Sequence, residues 1–226
     1  MITIVVTPAE FDGERLTIEG EVHRHLFRAR RMGDEEVLRV VDGEGRARWA
    51  KLESVGRHAA EALLGAAAPS GDPARAVGLL TALPKPDRAA WLVEKCTELG
   101  VSSISFVAFE RSPRELPESA LERLRRVAVA ALEQSHGARL PRLRGLVPWE
   151  QALAEEGESA VVLDPSTAEE QDLTTFRRLW VGPEGGLTAA ERAAVQARGL
   201  LSLSLGPRIL RVETAAVVGA SVLLRA

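Results

Sequence analysis

The chain has 226 residues, 46% of them hydrophobic and 27% charged, and a formal net charge of −3 at pH 7. This is an ordinary globular balance, which excludes an intrinsically disordered chain and leaves room for one large domain or two small ones. Because the sequence shows no membrane-length apolar run, no secretion signal and a single cysteine, Cys96, we expect a cytoplasmic protein without disulfides or membrane association.

The first 70 residues predict short strands with one basic helix among them. Strand-like segments lie at 2–6, 16–18, 37–41 and 46–52. Asp42–Gly45, between the last two segments, is typical of a hairpin turn because glycine tolerates a positive φ. The small-residue segment Ala66–Pro73 has no periodicity and predicts a domain boundary. We therefore expect a small β-barrel-like domain before it.

The predicted basic helix, at about 22–31, concentrates cationic side chains over residues 23–31. One interpretation is a solvated helical face, which is common for a run of charges. The other is a surface that contacts nucleic-acid phosphates, since arginine binds phosphate bidentately. His23 and His25 have no third metal ligand nearby in sequence, so we interpret them as surface or RNA-facing residues and expect no metal site.

After the boundary, predicted strands and helices alternate. Strands are predicted at 79–83, 104–109, 159–163, 178–181 and 201–205, and helices at 87–99, 119–134, 188–198 and 214–224. The helix from Thr188 opens with a capping box. This alternation predicts a mostly parallel sheet that is covered on both faces.

Two of the predicted helices have informative apolar residues. The last helix, 214–224, is apolar nearly all round, so it should be buried on more than one side, either inside one chain or at a dimer interface. Cys96 falls on the apolar stripe of the helix at 87–99, which favours a core position over a nucleophile.

Two loops that follow predicted strands both begin with Gly-Pro. One is Gly182–Gly186, and the other is Gly206–Thr214. Ligands bind at the carboxyl ends of parallel strands, and exposed loop amides can recognise an adenine edge or a carboxylate. Ordinary turns are the alternative for either loop taken alone. Neither a P-loop motif nor G-x-G-x-x-G after a strand is present, which argues against a P-loop NTPase and the usual dinucleotide fold.

These two loops resemble the C-terminal signatures of the RsmE family of 16S rRNA uridine-N3 methyltransferases, in the SPOUT superfamily. Three further segments agree in order and spacing: 25–34, Glu94–Val101 and Glu133–Ser135. The resemblance implies an α/β protein with an N-terminal PUA-like β-barrel, residues 1–70, and a C-terminal SPOUT domain, residues 74–226, with a deep trefoil knot at about 160–224. It also implies S-adenosylmethionine as cofactor, a homodimer, and 16S ribosomal RNA or the small ribosomal subunit as partner.

The resemblance also implies the site residues. Those expected to bind the cofactor are Leu163, Gly182, Pro183, Gly185, Leu201, Leu203, Leu205, Gly206, Ile209 and Leu210. Those expected to bind RNA are His25, Arg28, Arg30, Arg31 and Arg208. Uracil N3 must lose its proton before it attacks a methyl group, and a nearby cation would stabilise the anion. Arg211 is our candidate for this catalytic role. Glu184 and Glu213 could accept the proton, although a cap or ion-pair role is favoured for both.

The chain departs from the family pattern at two places. His136-Gly137 stands where the family commonly has Gly-Arg, with Arg139 two residues later, so an RNA contact could differ. Val212 replaces the usual threonine of the last motif. Two other functions stay open: a SPOUT methyltransferase for another rRNA or tRNA nucleotide, and a non-catalytic RNA-binding assembly factor.

Overall fold

The computed structural model describes residues 1–29, 36–112, 115–157, 159–165 and 172–226, except the side chains of residues 28 and 29. These residues form two compact units. The first consists of residues 1–72 and 132–140, and the second of residues 73–131 and 141–226. The segment at 132–140 therefore belongs with the N-terminal residues, although it lies some sixty residues after the boundary segment.

The first unit is built on a five-stranded curled sheet. Its strands are β1 (Thr3–Val5), β2 (Arg15–Glu19), β3 (Val37–Val41), β4 (Ala47–Val55) and β5 (Ala59–Ala67). The order is β1-β3-β4-β5-β2, and the β1–β3 pairing is parallel while the other described pairings are antiparallel. Two short helices, α1 (Pro8–Phe11) and α2 (Gly20–His23), flank β2, and α2 continues as a π-helix over Arg24–Ala29. The predicted β-rich N-terminal domain is confirmed.

Strand β5 was not predicted from the sequence. Its alanine-rich composition has low strand propensity. In the structure Ala60, Ala62 and Leu64 alternate inward, and they join the buried core of the unit with Leu38 and Leu52. Pairing with β4 and β2 therefore overrides the local preference.

The predicted hairpin turn is confirmed between β3 and β4. Gly43 has a φ of 74° and Gly45 a φ of 109°. The Asp42 carboxylate accepts hydrogen bonds from the amides of Glu44, at 2.8 Å, and Arg46, at 3.0 Å. An aspartate that bonds the amide two residues ahead stabilises such a turn.

Arg39, on β3, is 2% exposed and connects distant parts of the first unit. Its guanidinium donates to the carbonyls of Pro69 and Ser70 at 2.8 and 2.5 Å, and to that of Gly137 at 2.9 Å. His136 has a φ of 60°, and its Nδ1 lies 2.9 Å from the Thr3 hydroxyl. The His136-Gly137 pair therefore has a packing role within this unit.

The second unit contains a six-stranded sheet. Its strands are β6 (Gly78–Ala82), β7 (Ser103–Ala108), β8 (Arg142–Pro148), β9 (Ala160–Leu163), β10 (Arg178–Val181) and β11 (Leu201–Leu203). The order is β11-β9-β10-β6-β7-β8, and every described pairing is parallel. The helices are α3 (Pro86–Glu98), α4 (Glu118–Ser135), α5 (Trp149–Ala154), α6 (Ala189–Ala197) and α7 (Val212–Arg225), with a 3₁₀ turn at Leu173–Thr175. The last four residues of α4 belong to the first unit. The predicted α/β class is confirmed, although β8 and α5 were not predicted.

Helix α7 packs on the sheet through a glycine. A Cβ placed at Gly219 would lie 2.8 Å from Leu179 of β10 and 3.3 Å from Leu163 of β9, so a larger residue would separate helix and sheet. The helix also contacts α3 and β6, while Val218 is 41% exposed. The helix is thus buried on more than one side within one chain, as predicted. The trefoil knot that the resemblance implies stays a prediction.

Cys96 lies on α3, and its side chain is buried in the protein core with no exposed surface. Burial raises the pKa of its thiol to about 12, so little thiolate forms near neutral pH. The prediction that this cysteine is a core residue is confirmed.

Candidate functional site

Three neighbouring strands of the second unit end at the same edge of the sheet. β9 ends at Leu163, β10 at Val181 and β11 at Leu203, and β9 pairs with both of the others in parallel. Because parallel strands present their carboxyl ends together, the loops that follow them converge. These are residues 164–165, residues 182–186, here called the braced loop, and residues 204–211, here called the open loop.

The converging loops enclose a cavity of about 370 Å³. This volume lies within the range of roughly 300–1,000 Å³ that is typical of small-molecule sites. Nine of the residues expected to bind the cofactor line it: Leu163, Gly182, Pro183, Gly185, Leu203, Leu205, Gly206, Ile209 and Leu210. Leu201 does not line it and is 47% exposed, because it lies at the opposite end of β11 from Leu203.

The braced loop is held by residues from other elements. Arg111, which follows β7, donates through Nη1 to the carbonyl of Gly185 at 2.6 Å. Arg88, on α3, donates to the Glu184 carboxylate at 3.1 Å. Within the loop, the Gly186 amide donates to the Pro183 carbonyl at 2.8 Å. The loop is therefore fixed by bonds to two other elements and by one of its own.

Helix α6 follows the braced loop and supplies a charged side chain to the cavity. The predicted capping box is confirmed: the Thr188 hydroxyl accepts from the Glu191 amide, and the Glu191 carboxylate accepts from the Thr188 amide at 2.8 Å. One turn on, Arg192 lines the cavity and forms an ion pair with Asp164, another lining residue. The Asp164–Arg192 ion pair thus lines a cavity whose other lining residues are mostly apolar.

The open loop has few contacts of its own. The Gly206 amide donates to the Ser204 hydroxyl at 3.2 Å, and Gly206 has a φ of 112°, which L-residues rarely adopt. Ile209 is 83% exposed although it lines the cavity. Arg208 also lines the cavity and is exposed. Apolar and cationic side chains are therefore presented to the surroundings from one short segment.

Arg211, the predicted catalytic residue, is the N-cap of α7. Its side chain is exposed, and the structure gives it no hydrogen bond or ion pair among the described residues. It is not part of the cavity lining, but its neighbours Leu210 and Val212 are. Arg211 therefore lies beside the residues that line the cavity, and its guanidinium is available to contact a ligand.

Glu184 and Glu213 share one arginine. Arg88 Nη1 lies 3.1 Å from Glu184 Oε1, and Arg88 Nε lies 3.5 Å from Glu213 Oε1. Glu213 is 7% exposed, and its Oε2 has no hydrogen-bond partner among the described residues. This arrangement agrees with the favoured ion-pair role for both carboxylates.

The predicted RNA-binding residues of the first unit are only partly described. His25 is exposed on the π-helix. Arg30, Arg31 and the side chain of Arg28 lie outside the described residues. The expectation for His23 is wrong: it is 3% exposed, its Nε2 lies 3.1 Å from the Gly56 carbonyl oxygen, and its ring packs on Phe27.

Sequence reasoning missed several residues of the site. Asp164 follows directly after a predicted strand, so the rule that ligands bind at strand ends could have found it. Arg88 and Arg111 gave no comparable signal, because each reaches the site from an element that is distant in sequence. Arg192 lies only six residues after the braced loop, but the capping box that predicted its helix does not indicate that its side chain reaches the cavity. Among the described residues, no group of three or more His, Cys, Asp or Glu side chains could hold a metal ion. Within the same part of the chain, no helix is long and apolar enough to span a membrane.

Family models describe the class of protein that this fold and site define. The model for an RNA methyltransferase domain matches residues 72–224, and the model for an RNA methyltransferase PUA domain matches residues 18–64. The chain is thus an RNA methyltransferase domain protein with a PUA domain.

Individual relatives narrow this class. Ribosomal RNA small subunit methyltransferase E of Mycobacterium tuberculosis is 31% identical over 225 residues, which cover 91% of this chain and 84% of the relative. The protein of the same name from Bacillus subtilis is 27% identical over 220 residues, covering 88% and 85%. A crystal structure of the Neisseria gonorrhoeae enzyme of this name, bound to S-adenosyl methionine, superposes with a TM-score of 0.88 at 25% identity, covering 100% of this chain and 97% of that one. The chain belongs to the ribosomal RNA small subunit methyltransferase E family.

Proposed function

We propose that this protein transfers a methyl group from S-adenosylmethionine to N3 of a uridine in 16S ribosomal RNA. The observation that supports this best is the cavity at the ends of β9, β10 and β11, in a chain whose relative from Neisseria was crystallised with this cofactor. Two of the RsmE-type motifs, Gly182–Gly186 and Gly206–Thr214, lie in the loops that form the cavity.

The residues of the cavity fit such a cofactor. Its lining combines apolar side chains, such as Leu163, Leu203 and Leu210, with the glycine-rich backbone of two loops. Apolar walls suit the flat adenine ring, while loop amides and carbonyls can bond its edge. The Asp164–Arg192 pair adds polar groups at the rim. When bound, the cofactor supplies a methyl group on a positively charged sulfur.

Within this proposal, the protein's main tasks are to position the target base and to stabilise its anion. Arg211 is exposed at the start of α7 beside two cavity residues, so it can approach a base that enters there. A guanidinium near the ring oxygens would favour the N3 anion. Glu184 already accepts a hydrogen bond from Arg88, and Glu213 forms an ion pair with the same arginine, so both are structural partners in this scheme.

RNA binding is proposed to involve both units. The match of residues 18–64 to a PUA domain model and the exposed His25 support a role for the first unit. Arg28, Arg30, Arg31 and Arg208 remain proposed phosphate contacts. A small-subunit rRNA substrate would place the protein in the cytoplasm.

A homodimer is also proposed, with α7 in the interface. Val218 is 41% exposed on a helix whose side chains are mostly apolar, and a second copy could cover it. Sedimentation at micromolar concentration measures this directly, and a monomer with full activity would contradict it.

The proposed function is tested by two measurements on the purified protein. Calorimetry should show binding of S-adenosylmethionine, and incubation with cofactor and small ribosomal subunits from a strain lacking the gene should add one methyl group to a 16S uridine, located by mass spectrometry. A methyl group on another nucleotide would favour the other SPOUT specificity. Cofactor binding without methylation of any RNA would favour an assembly factor.

A further inference from the structure

A second hollow of about 430 Å³ lies beside the cofactor cavity in the second unit. Pro183, Glu184 and Gly185 of the braced loop, together with Val212, line both spaces. The braced loop is therefore a wall with the cofactor cavity on one side and this hollow on the other. A ligand group in the hollow would be adjacent to the reacting centre.

The charged side chains that line the hollow are predominantly cationic. Lys85, Arg88 and Arg111 line it together with one carboxylate, that of Glu184. Its other described lining residues have uncharged side chains: Ala82, Leu83, Pro84, Ser112, Pro183, Gly185 and Val212. The charge balance of the lining thus favours an anionic ligand.

The three cations differ in their partners. Arg88 contacts the carboxylates of Glu184 and Glu213, so its charge is already compensated. Arg111 uses Nη1 to hold the Gly185 carbonyl but contacts no carboxylate among the described residues, and a guanidinium has five N–H donors. Lys85 has an exposed side chain with no hydrogen bond or ion pair among the described residues. Two uncompensated cations therefore face one hollow.

The start of helix α3 adds to the attraction for an anion. Lys85 is the N-cap of this 13-residue helix and its side chain makes no capping hydrogen bond. Lysine cannot accept a hydrogen bond, so the first-turn amides have no acceptor from the usual capping position. Asp87 in the first turn offsets part of the positive charge at this helix end, but its side chain does not line the hollow, whereas Lys85 and Arg88 of the same helix start do.

We propose that Lys85 and Arg111 bind a backbone phosphate of the RNA adjacent to the nucleotide that is methylated. The inference rests on the proposed function, since a base positioned at the cofactor cavity has a phosphodiester on each side. One of these phosphates would enter the hollow across the braced loop. The contact positions the target nucleotide and is independent of base identity.

The test uses a Lys85→Gln/Arg111→Gln double variant and 16S rRNA transcribed in vitro. Loss of two phosphate contacts should weaken RNA binding about tenfold at 0.1 M salt and reduce the slope of log Kd against log salt by about 1.4, from roughly 0.7 per contact. An Arg123→Gln/Arg126→Gln variant is the matched control, because it removes two exposed cations from α4. Equal losses in both variants would show a general charge effect and overturn the proposal.

A second experiment locates the phosphate. RNA oligonucleotides with a neutral methylphosphonate on either side of the target uridine should bind the wild-type protein more weakly at one of the two positions. The double variant should then show no further loss at that position, because the two changes remove the same contact. Additive losses at both positions would contradict the assignment.

Cofactor affinity separates this proposal from the proposed function. Wild-type protein that fails to bind S-adenosylmethionine would contradict the function itself. Normal cofactor binding and methylation with an unchanged salt slope in the double variant would contradict only the phosphate contact. A large loss of cofactor affinity in Lys85→Gln alone, which leaves the Arg111–Gly185 hydrogen bond in place, would instead assign the hollow to the cofactor's carboxylate. A loss confined to the double variant would reflect the missing Arg111–Gly185 hydrogen bond, and the salt slope of Lys85→Gln alone would then decide the phosphate contact. Lys85→Gln alone removes no contact that the structure shows, so it should fold and repeat half of the effect.

Discussion

The braced loop and the open loop are similar in sequence where they begin, but they differ in the residues that contact them. Each follows a parallel strand and each contains a Gly-Pro pair, at 182–183 and 206–207. The braced loop accepts from Arg111 and pairs with Arg88. The described polar contacts of the open loop are instead with residues nearby in sequence, between Ser204 and Gly206 and from the Ala215 amide to the Arg211 carbonyl. The difference shows that a motif fixes the direction of the chain while partners elsewhere decide how firmly the loop is held.

This contrast suggests a division of work at the site. The braced loop forms a wall that exists before any ligand binds. The open loop presents Arg208, Ile209 and Arg211 without polar partners among the described residues, which is a state that a ligand or an RNA can change. The predictions below test whether the open loop supplies chemistry and contacts that the braced loop does not.

The largest effect is expected for Arg211→Ala. If Arg211 stabilises the uridine anion as it forms, its contribution belongs to the transition state and not to the ground state. Turnover should fall about 100-fold, which corresponds to roughly 3 kcal/mol, as for loss of one oxyanion-stabilising donor. Cofactor and RNA affinities should change much less. Single-turnover methylation combined with calorimetry measures both quantities.

Two controls sharpen this result. Raising the pH should recover part of the lost rate, because more uracil then ionises without help. Arg211→Lys should recover only part, since an ammonium lacks the planar fork of the guanidinium. If Arg211→Ala abolishes cofactor binding, the residue holds a ligand or the loop, and the catalytic assignment is wrong.

A smaller effect is expected from the two glycines that begin the Gly-Pro pairs. Gly206 has a φ of 112°, and a Cβ added there would have no atom within 4 Å, so the constraint on this residue is conformational. Gly206→Ala should strain the open loop and raise the Kd for S-adenosylmethionine about tenfold, within the roughly 1–3 kcal/mol typical of such backbone strain.

Gly182 provides the matched comparison in the braced loop. A Cβ there would lie 3.3 Å from Cδ2 of Leu187, the far end of a side chain that can move. Gly182→Ala should therefore raise the Kd by less than about threefold, a smaller cost than backbone strain imposes. Calorimetry on both variants checks the ranking, and a larger effect at Gly182 would show that the braced loop is the more sensitive wall.

The sequence predicted the elements whose signals are local. Strands β9, β10 and β11 and the loops after β10 and β11 followed from short apolar runs and Gly-Pro pairs, and the capping box located α6. Strand β5 was missed because alanine disfavours strands until neighbours pair with it. The helix-like basic segment gave no sign that His23 turns inward to Gly56.

The bracing of the site could not be predicted. Arg88 lies 96 residues from Glu184, and Arg111 lies 74 residues from Gly185. No periodicity links such positions, since their proximity depends on how six parallel strands are ordered. The placement of Arg39 against Gly137, 98 residues away, is another long-range contact of this kind. The resemblance to a family supplied the residues expected to bind the cofactor, nine of which line the cavity, but not the residues that hold their loops.

A small effect is also expected for Arg208→Gln, which tests whether a free cation of the open loop contacts RNA. Arg208 is exposed and has no hydrogen bond or ion pair among the described residues, so its loss should remove one phosphate contact and little else. RNA binding at 0.1 M salt should weaken about threefold, and the slope of log Kd against log salt should fall by about 0.7.

Arg192→Gln is the matched control, because Arg192 lines the same cavity but is paired with Asp164. It should leave the salt slope unchanged, since a compensated arginine releases few counterions from RNA. Equal slopes for the two variants would show that pairing in the free protein does not decide which arginines meet the RNA, and the distinction between the two loops would then concern the cofactor alone.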